Sequence, residues 1–320
     1  MESSVLNSFV TPFVSVIIPV YNDAYRLSRC LKALEHQTYP KLSYEVIVVD
    51  NNSEENISSI TELFSQAILV KEERKGSYAA RNKGISIAKG TVLAFTDSDC
   101  IPVLDWIEKG VQCLLANPNC GLSAGKIELF FKNPSKPTAV EVYDSINFLR
   151  QEHYIKALHF GATANVFTFK QMFDVVGLFN ADLKSGGDQE WGNRVFAAGY
   201  TQVYAEEACV AHPARHELSE LKQKVTRVTE GHYNLKSQDK GLYLPYLKEI
   251  FIDISPSIKD IKDIVKAFLN QNLHGLEKKM EFIYVILSLK YAKAGKKTQL
   301  YWMYLTKNKQ NTSSTRTCQS

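Results

Sequence analysis

The 320-residue chain has no apolar run near the roughly 18 residues that a membrane-spanning helix takes. Nothing near its start joins a basic stretch to an apolar segment of signal-peptide length, so a cytoplasmic location is expected. Its six cysteines (Cys30, Cys100, Cys113, Cys120, Cys209, Cys318) are scattered without a CxxC pair. That excludes a disulfide framework and zinc-site spacing, and predicts free thiols, mostly buried. The turn after the first strand-like run, "PVYNDAYRL", lacks the GxGxxG of a dinucleotide-binding oxidoreductase. It also lacks the glycine-rich, arginine-containing loop that a sugar-phosphate nucleotidyltransferase would carry there. There are no internal repeats and no low-complexity segment beyond the C-terminal tail, and no nucleic-acid partner is expected.

What is present is an ordinary globular composition, 45% hydrophobic and 22% charged. The charge is unevenly spread. Residues 1–217 hold 20 Lys/Arg against 25 Asp/Glu, whereas residues 218–320 hold 18 against 9. A basic end on an acidic body fits a membrane surface, a polyanion or a solvated helix face.

The runs "FVSVIIPVYN" (13–22) and "SYEVIVVDNNS" (43–53) are β-branched and end in turn formers, as buried parallel strands do. Between them 23–37 has helical spacing, with Asp23 as N-cap. Helix 56–65, strand 67–72, helix 77–90 and strand 91–97 repeat the device. The first hundred residues thus predict an open, doubly wound, mostly parallel α/β sheet, whose ligands would sit beyond the carboxyl ends of the strands. Farther on, a helix at 103–116, a strand at 121–131, an amphipathic stretch around 138–158, a helix at 189–199 and a strand at 201–206 predict a mixed half. From 218 the spacing is helical, and the polar tail after about 307 is expected to fray. The expected organisation is an N-terminal extension (1–12), a catalytic domain (13–217, in halves 13–100 and 101–217), a helical appendage (218–306) and a tail.

"LAFTDSDCIP" (93–102) carries two carboxylates where a strand ends. If the chain stays extended, Asp97 and Asp99 face one side with Cα atoms roughly 6.5–7 Å apart. Such a pair can serve Mg²⁺ or Mn²⁺, which take oxygen ligands and leave positions for substrate phosphates. The alternative is a polar turn with no ligand. Tyr21, Asp50, Asp97 and Asp99 all fall at strand ends.

Five segments, "VSVIIPVYND", "EVIVVDNNS", "GSYAARNKGISIAKGTVLAFTDSDCIP", "GGDQEWGNRVFAAGY" and "VAHPAR", resemble in order and spacing the family 2 glycosyltransferases, which have the GT-A fold. The resemblance spans residues 13 to about 235. It implies a metal-dependent, inverting transfer of a sugar from a nucleotide diphosphate donor, UDP-linked by family habit, to an acceptor hydroxyl of a sugar, glycan or lipid-linked carrier. Surface polysaccharide or glycan synthesis would be the setting. Tyr21 would line the base pocket and Asp50 accept from the base, with Pro19, Asn52 and Ser98 in the same nucleotide-sugar group. Arg81 would face the diphosphate or the aspartates, or pair with Glu72 or Glu73 as an exposed helix arginine. Asp97 would hold ribose or metal-bound water, and Asp99 the Mn²⁺ or Mg²⁺, joined by His212, whose imidazole suits manganese better. Asp188 is the expected catalytic base and Glu190 its reserve; the family's usual glutamate before the base is Gly187 here. The family often has a second aspartate where this chain has Asn51. Gly161, Asn165 and Trp191 would line the acceptor side, although aromatic residues at helical positions are more often core. Arg215 would clamp phosphate or cap its neighbourhood.

The segment 277–305 alternates lysines with apolar residues. It fits peripheral contact with the inner face of an anionic membrane, or a helix packed on the body. A non-catalytic nucleotide-sugar-binding protein on the same fold is the rival to an enzyme.

Overall fold

In a computed structural model the described residues are 11–236, 243–255 and 257–317. Most of the expected N-terminal extension lies outside them, as do residues 318–320. Eight strands, β1 (Val14–Val20), β2 (Tyr44–Asp50), β3 (Ala67–Lys71), β4 (Val92–Thr96), β5 (Ile101–Pro102), β6 (Cys120–Phe130), β7 (Asn165–Phe169) and β8 (Thr201–Pro213), form one sheet in the order β3-β2-β1-β4-β7-β6-β8-β5. The pairs β1–β2, β2–β3 and β1–β4 are parallel, as the sequence predicts, while β4–β7, β6–β7 and β5–β8 are antiparallel. The fold is GT-A, an α/β architecture with helices at the C-terminus.

Of the parallel strands, β1, β2 and β4 are buried on both faces, while β3 at the edge is partly exposed. Val14, Val16, Ile18 and Val20 share one cluster with Leu27, Leu31 and Leu34 of helix Ala24–Glu35 and with Trp106, Ile107 and Val111 of helix Trp106–Ala116. On the other face helix Ser77–Ile87 lies so close that a Cβ on Gly84 would sit 2.5 Å from Ile17 Cγ2. The chain leaves β1 toward β2 on one side, and β4 enters on the other. The strand order therefore reverses between β1 and β4, where open α/β sheets form their ligand crevice.

Several elements differ from expectation. Helix 56–65 is a single turn, Ser58–Thr61. The stretch 138–158 breaks after Asn147, where Leu149 takes φ 54°, and resumes as a short helix (Gln151–His153) and a π-helical turn (Tyr154–Leu158). The segment that starts at Asn165, a residue expected on the acceptor side, is β7, a central antiparallel strand. β8 runs on to Pro213 rather than ending at 206, past the exposed pair Glu206 and Glu207 that hides its alternation. The tail expected to fray after 307 continues as helix to Thr317.

The chain divides into two compact units, and not at 217/218. The first comprises Met1–Glu128, Arg150–Asp182 and Gly187–His212; the second comprises Leu129–Leu149, Leu183–Gly186 and Pro213–Ser320. The second unit has its own core of Val142, Leu221, Phe282, Val285, Ile286 and Leu289. Helix Gly275–Thr317 thus spends Phe282, Val285, Ile286 and Leu289 on packing, while Tyr284 and Leu287 stay exposed. Of the two readings of 277–305, this part takes the packed one. Arg215 belongs to this unit and caps its neighbourhood: its backbone N–H and Nη1 both donate to the buried Asp144 carboxylate, at 2.9 and 3.2 Å.

Asn165, expected on the acceptor side, is fully buried and latches the first unit instead. Its amide donates to Lys126 and Ala208 carbonyls at 2.8 Å each, and its oxygen accepts from Trp106 Nε1 at 2.9 Å. Asn165→Ala removes the bonds to two buried groups, the Ala208 carbonyl and Trp106 Nε1, and to the part-buried Lys126 carbonyl. A loss of at least about 2 kcal/mol in urea denaturation is expected, since each such group costs about 1–3 kcal/mol.

Candidate active site

Each parallel strand delivers its polar residues to the same edge. β1 ends at Val20, followed by Tyr21, which is 58% exposed, and Asn22 in the left-handed region at φ 48°. Asn22 Oδ1 accepts from Glu54 N–H at 2.7 Å, tying this turn to the loop after β2. Asp50 closes β2; it is buried, and its Oδ1 accepts from Ser53 N–H at 2.9 Å. Pro19 lies within β1, in register with Val49.

Asn51 is fully committed. Its amide donates to the Glu72 and Arg74 carbonyls at 2.9 and 2.8 Å, and its oxygen accepts from Gly76 N–H at 2.7 Å. An aspartate there would turn a carboxylate on two carbonyl oxygens, so asparagine in place of the family's frequent aspartate has a local cause. Asn52, at φ 65°, likewise donates to the Glu73 carbonyl at 2.8 Å. These bonds hold the 72–76 loop that leads into helix Ser77–Ile87.

The two aspartates of "TDSDC" do not stay extended. β4 stops at Thr96, and Cys100 N–H donates to the Asp97 carbonyl at 3.1 Å, closing a turn. The turn sends the carboxylates to different partners. Asp97 accepts from Arg81 Nη2 in an ion pair whose guanidinium side chain is 4% exposed. Arg81 therefore faces the aspartates rather than Glu72 or Glu73, and its buried Nε has no hydrogen-bond partner. Asp99 lies with Oδ1 3.6 Å from His212 Nε2 and Oδ2 3.8 Å from Arg26 Nη1. His212 arrives there because β5 pairs with β8 as Ile101 to Ala211, which sets the next residue of β8 beside Cys100. One ligand atom each from Asp99, Cys100 and His212 lies within 4.8 Å of the others. Oxygen and imidazole donors fit Mn²⁺ or a related divalent cation, and the thiol adds a softer one. Burial raises the Asp99 carboxyl above the usual range, opposed by His212. Burial likewise holds the Cys100 thiol well above its ordinary value.

Asp23 takes the N-cap position of helix Ala24–Glu35, but its side chain does not cap. One oxygen accepts from Arg26 Nε at 2.7 Å and the other from Ser98 Oγ at 3.1 Å. Asp23 and Arg26 thus join a cluster that sequence reasoning built without them.

Asp188 stands in the first turn of helix Gly187–Ala197. Its Oδ1 accepts from Tyr78 OH at 3.2 Å and from Gln189 N–H at 3.0 Å. Burial raises this carboxyl, and the Gln189 N–H, Arg81 and the Tyr78 hydroxyl act in the opposite direction. Tyr78 links the two halves of the site: Arg81 Cζ lies 5.8 Å from the centre of its ring. Tyr78 was missed by sequence reasoning, although its spacing of three from Arg81 puts both on one helix face. The Tyr78 ring also accounts for Gly187. A Cβ there would lie 2.7 Å from ring carbon Cε2, so the family's usual glutamate has no room.

Three expectations are corrected. Glu190, the reserve base, is bound in bidentate fashion by Arg194 Nε and Nη2 at 2.7 and 2.9 Å, and Arg194 also donates to the Leu178 carbonyl. That pairing makes it a support for the 176–178 turn. Trp191 is 2% exposed, stacked on Phe173 at 4.8 Å, and donates Nε1 to the Gly177 carbonyl, so it offers no face to a sugar. Gly161 is buried where a Cβ would meet Ala124 Cβ at 2.7 Å, a packing role. With Asn165 already placed in the core, the expected acceptor residues are structural.

The profile of the family described as "Glycosyl transferase family 2" matches residues 15–177. The chain belongs to this family. Glycosyltransferase AglE of Haloferax volcanii is 41% identical over 234 residues, which is 72% of this chain and 76% of AglE. The E. coli enzyme named UDP-Glc:alpha-D-GlcNAc-diphosphoundecaprenol beta-1,3-glucosyltransferase WfgD is 32% identical over 123 residues, 38% of this chain and 47% of WfgD. Among solved structures, the mannosyltransferase PcManGT from Pyrobaculum calidifontis, in complex with GDP-Man and Mn²⁺, superposes with a TM-score of 0.62 at 19% identity, covering 91% of this chain and 88% of that one. The family 2 chain is a transferase, with the GT-A sheet holding its strand-end residues.

The contact between Gly187 and Tyr78 in this glycosyltransferase is open to a double-mutant cycle. Gly187→Ala is expected to lower stability by about 1–3 kcal/mol through overpacking. In a Tyr78→Ala background the same change should cost at least about 1 kcal/mol less, as thermal or urea denaturation would read.

Proposed function

We propose that the chain is a divalent-metal-dependent, inverting glycosyltransferase that moves a sugar from a nucleotide diphosphate donor, UDP-linked by preference, to an acceptor hydroxyl in glycan or surface-polysaccharide synthesis. The observation that carries this reading is the single hydrogen-bonded path Asp188–Tyr78, with Arg81 beside Tyr78 and paired to Asp97, two residues from the Asp99–His212 donor set.

Asp99 and His212 are the residues that would hold the cation, with Mn²⁺ favoured by the imidazole. A bound cation there would supply charge neutralisation for the departing diphosphate. Arg81 compensates Asp97, leaving that carboxylate's second oxygen for a ribose hydroxyl or for water. Asp50, its Oδ1 engaged by Ser53 N–H, keeps an oxygen for a donor group on the base, and the exposed Tyr21 ring offers a stacking face. Pro19, Asn52 and Ser98 complete this side as backbone and turn residues rather than chemical groups.

Asp188 is the base. A carboxyl raised by burial is a stronger proton acceptor than an exposed one, and it can take the proton of an acceptor hydroxyl as that oxygen attacks the anomeric carbon. A single displacement with no covalent sugar–protein stage inverts the anomeric centre. Tyr78, donating to Oδ1, orients the carboxylate and leaves Oδ2 for the acceptor.

A donor panel read by thermal shift with Mn²⁺ tests the base preference: stabilisation by UDP-sugars and none by GDP- or dTDP-sugars is expected. Asp188→Asn should reduce kcat on the order of 10²–10⁴-fold while keeping the donor shift. Retained donor binding with no transfer by the native chain to any acceptor would instead favour a nucleotide-sugar-binding protein. The acid limb of the pH–rate profile should lie above the usual carboxylate range, because activity needs Asp188 deprotonated and its pKa is raised. Tyr78→Phe removes a bond to the charged form, so the limb should move up by roughly 0.5–1 pH unit. A limb that stays put, or moves down, would count against Asp188 as the titrating base.

A further inference from the structure

The helix Ile258–Leu269 of the second unit is turned the wrong way round for an ordinary surface helix. Amphipathic helices normally bury the apolar stripe and expose the charged one. Here Ile258, Ile261, Val265, Phe268 and Leu269 are 74%, 60%, 51%, 46% and 76% exposed. Steps of three, four, three and one place all five within an arc of roughly 100°. The two acidic residues of the helix point the other way. Asp263 is buried at 5% exposure, and Asp260 is held by Lys290 in an ion pair whose side chains are each 17% exposed. Ile264, beside Asp260 on the wheel, packs on the core of the unit.

The exposed arc is bordered by cations and carries no carboxylate. Lys262 and Lys266 follow it on one flank, both exposed. Near the end of the helix Lys279 Nζ lies 5.1 Å from the centre of the Phe268 ring and donates to the Phe268 carbonyl at 3.2 Å. The surrounding segment 218–320 holds 18 Lys/Arg against 9 Asp/Glu. Two exposed apolar residues on the preceding helix, Phe251 and Ile252, extend the same character in sequence.

We propose that helix Ile258–Leu269 lies on an anionic lipid bilayer, its five apolar side chains entering the boundary of the acyl region and its flanking lysines meeting the phosphates. An apolar arc edged by lysines is the chemistry of an interfacial helix: the apolar part gains from leaving water, and the basic edge matches anionic headgroups. Among the described residues no helix is long and apolar enough to cross a membrane, so contact would be by lying on the surface. The sequence expectation offered either membrane contact or packing for 277–305, where Phe282, Val285, Ile286 and Leu289 are core; the present assignment is to a different helix. It stands independently of the donor and base assignments, because it is read without substrate.

The test is co-sedimentation of the full chain with vesicles of phosphatidylcholine alone and of equal parts phosphatidylcholine and phosphatidylglycerol. Binding to the anionic vesicles, weakened by salt, and little to the neutral ones is expected. Ile261→Asp/Phe268→Asp should lower vesicle affinity by more than about tenfold, and Lys262→Glu should reduce the preference for anionic lipid. Ile261, Phe268 and Lys262 are exposed, so melting temperature should be unchanged in both variants; Lys266 is kept, because its Nζ lies 3.8 Å from the buried Asp263 carboxylate. Failure of the native chain to bind anionic vesicles, or equal binding by Ile261→Asp/Phe268→Asp, overturns the proposal. So does a native dimer that dissociates on Ile261→Asp/Phe268→Asp, which would assign the face to a second copy.

Discussion

A guanidinium held at 4% exposure is tolerable only if its charge is matched, and Arg81 finds that match in Asp97. The pair joins helix Ser77–Ile87 to the end of β4, and much of the site follows from it. Tyr78, one turn earlier on the helix, is carried to Asp188, and the space its ring fills requires glycine at 187. Asp97 is thereby drawn away from Asp99. The two carboxylates of a DxD sequence are held apart in role by a turn and by one buried arginine, rather than acting as a matched pair.

Around this pair the strand-end loops are stapled by asparagine. Asn22, Asn51 and Asn52 each bond a backbone group of another loop, and two of them take positive φ. Asparagine suits these places because it both donates and accepts, and because its short polar side chain tolerates the left-handed region. Asn165 does the same in the interior, where it joins Trp106 to two strands. The strand-end loops of the sheet are thus held by amides that carry no charge and do not compete for a cation.

The second unit solves a different problem. Its long helix spends one apolar side on the core, and its lysines neutralise acids on neighbouring helices: Lys290 with Asp260, Lys293 with Asp253, Lys297 with Glu249. These lysines are therefore structural, and the basic excess lies in the others. What remains exposed on Ile258–Leu269 is an apolar arc with lysines beside it, since the acids of that helix have been drawn inward.

The parallel strands and the polar residues at their ends were legible in the sequence, because both depend on local patterns: β-branched runs buried on both faces and turn formers where they stop. The family was legible for the same reason, through five short segments in order. Other features depended on which distant residues fill the same space. β7 was hidden inside a segment whose Asn165 looked like a polar lining residue and is a core latch. Asp23 looked like a cap and bonds Ser98, 75 residues away. Trp191 and Glu190 looked available and are used by Phe173 and Arg194. Residue type and spacing determined what chemistry this chain could bring to its sheet edge. Tertiary packing decided which of those groups stay free, because a buried polar atom takes whatever partner the fold sets beside it.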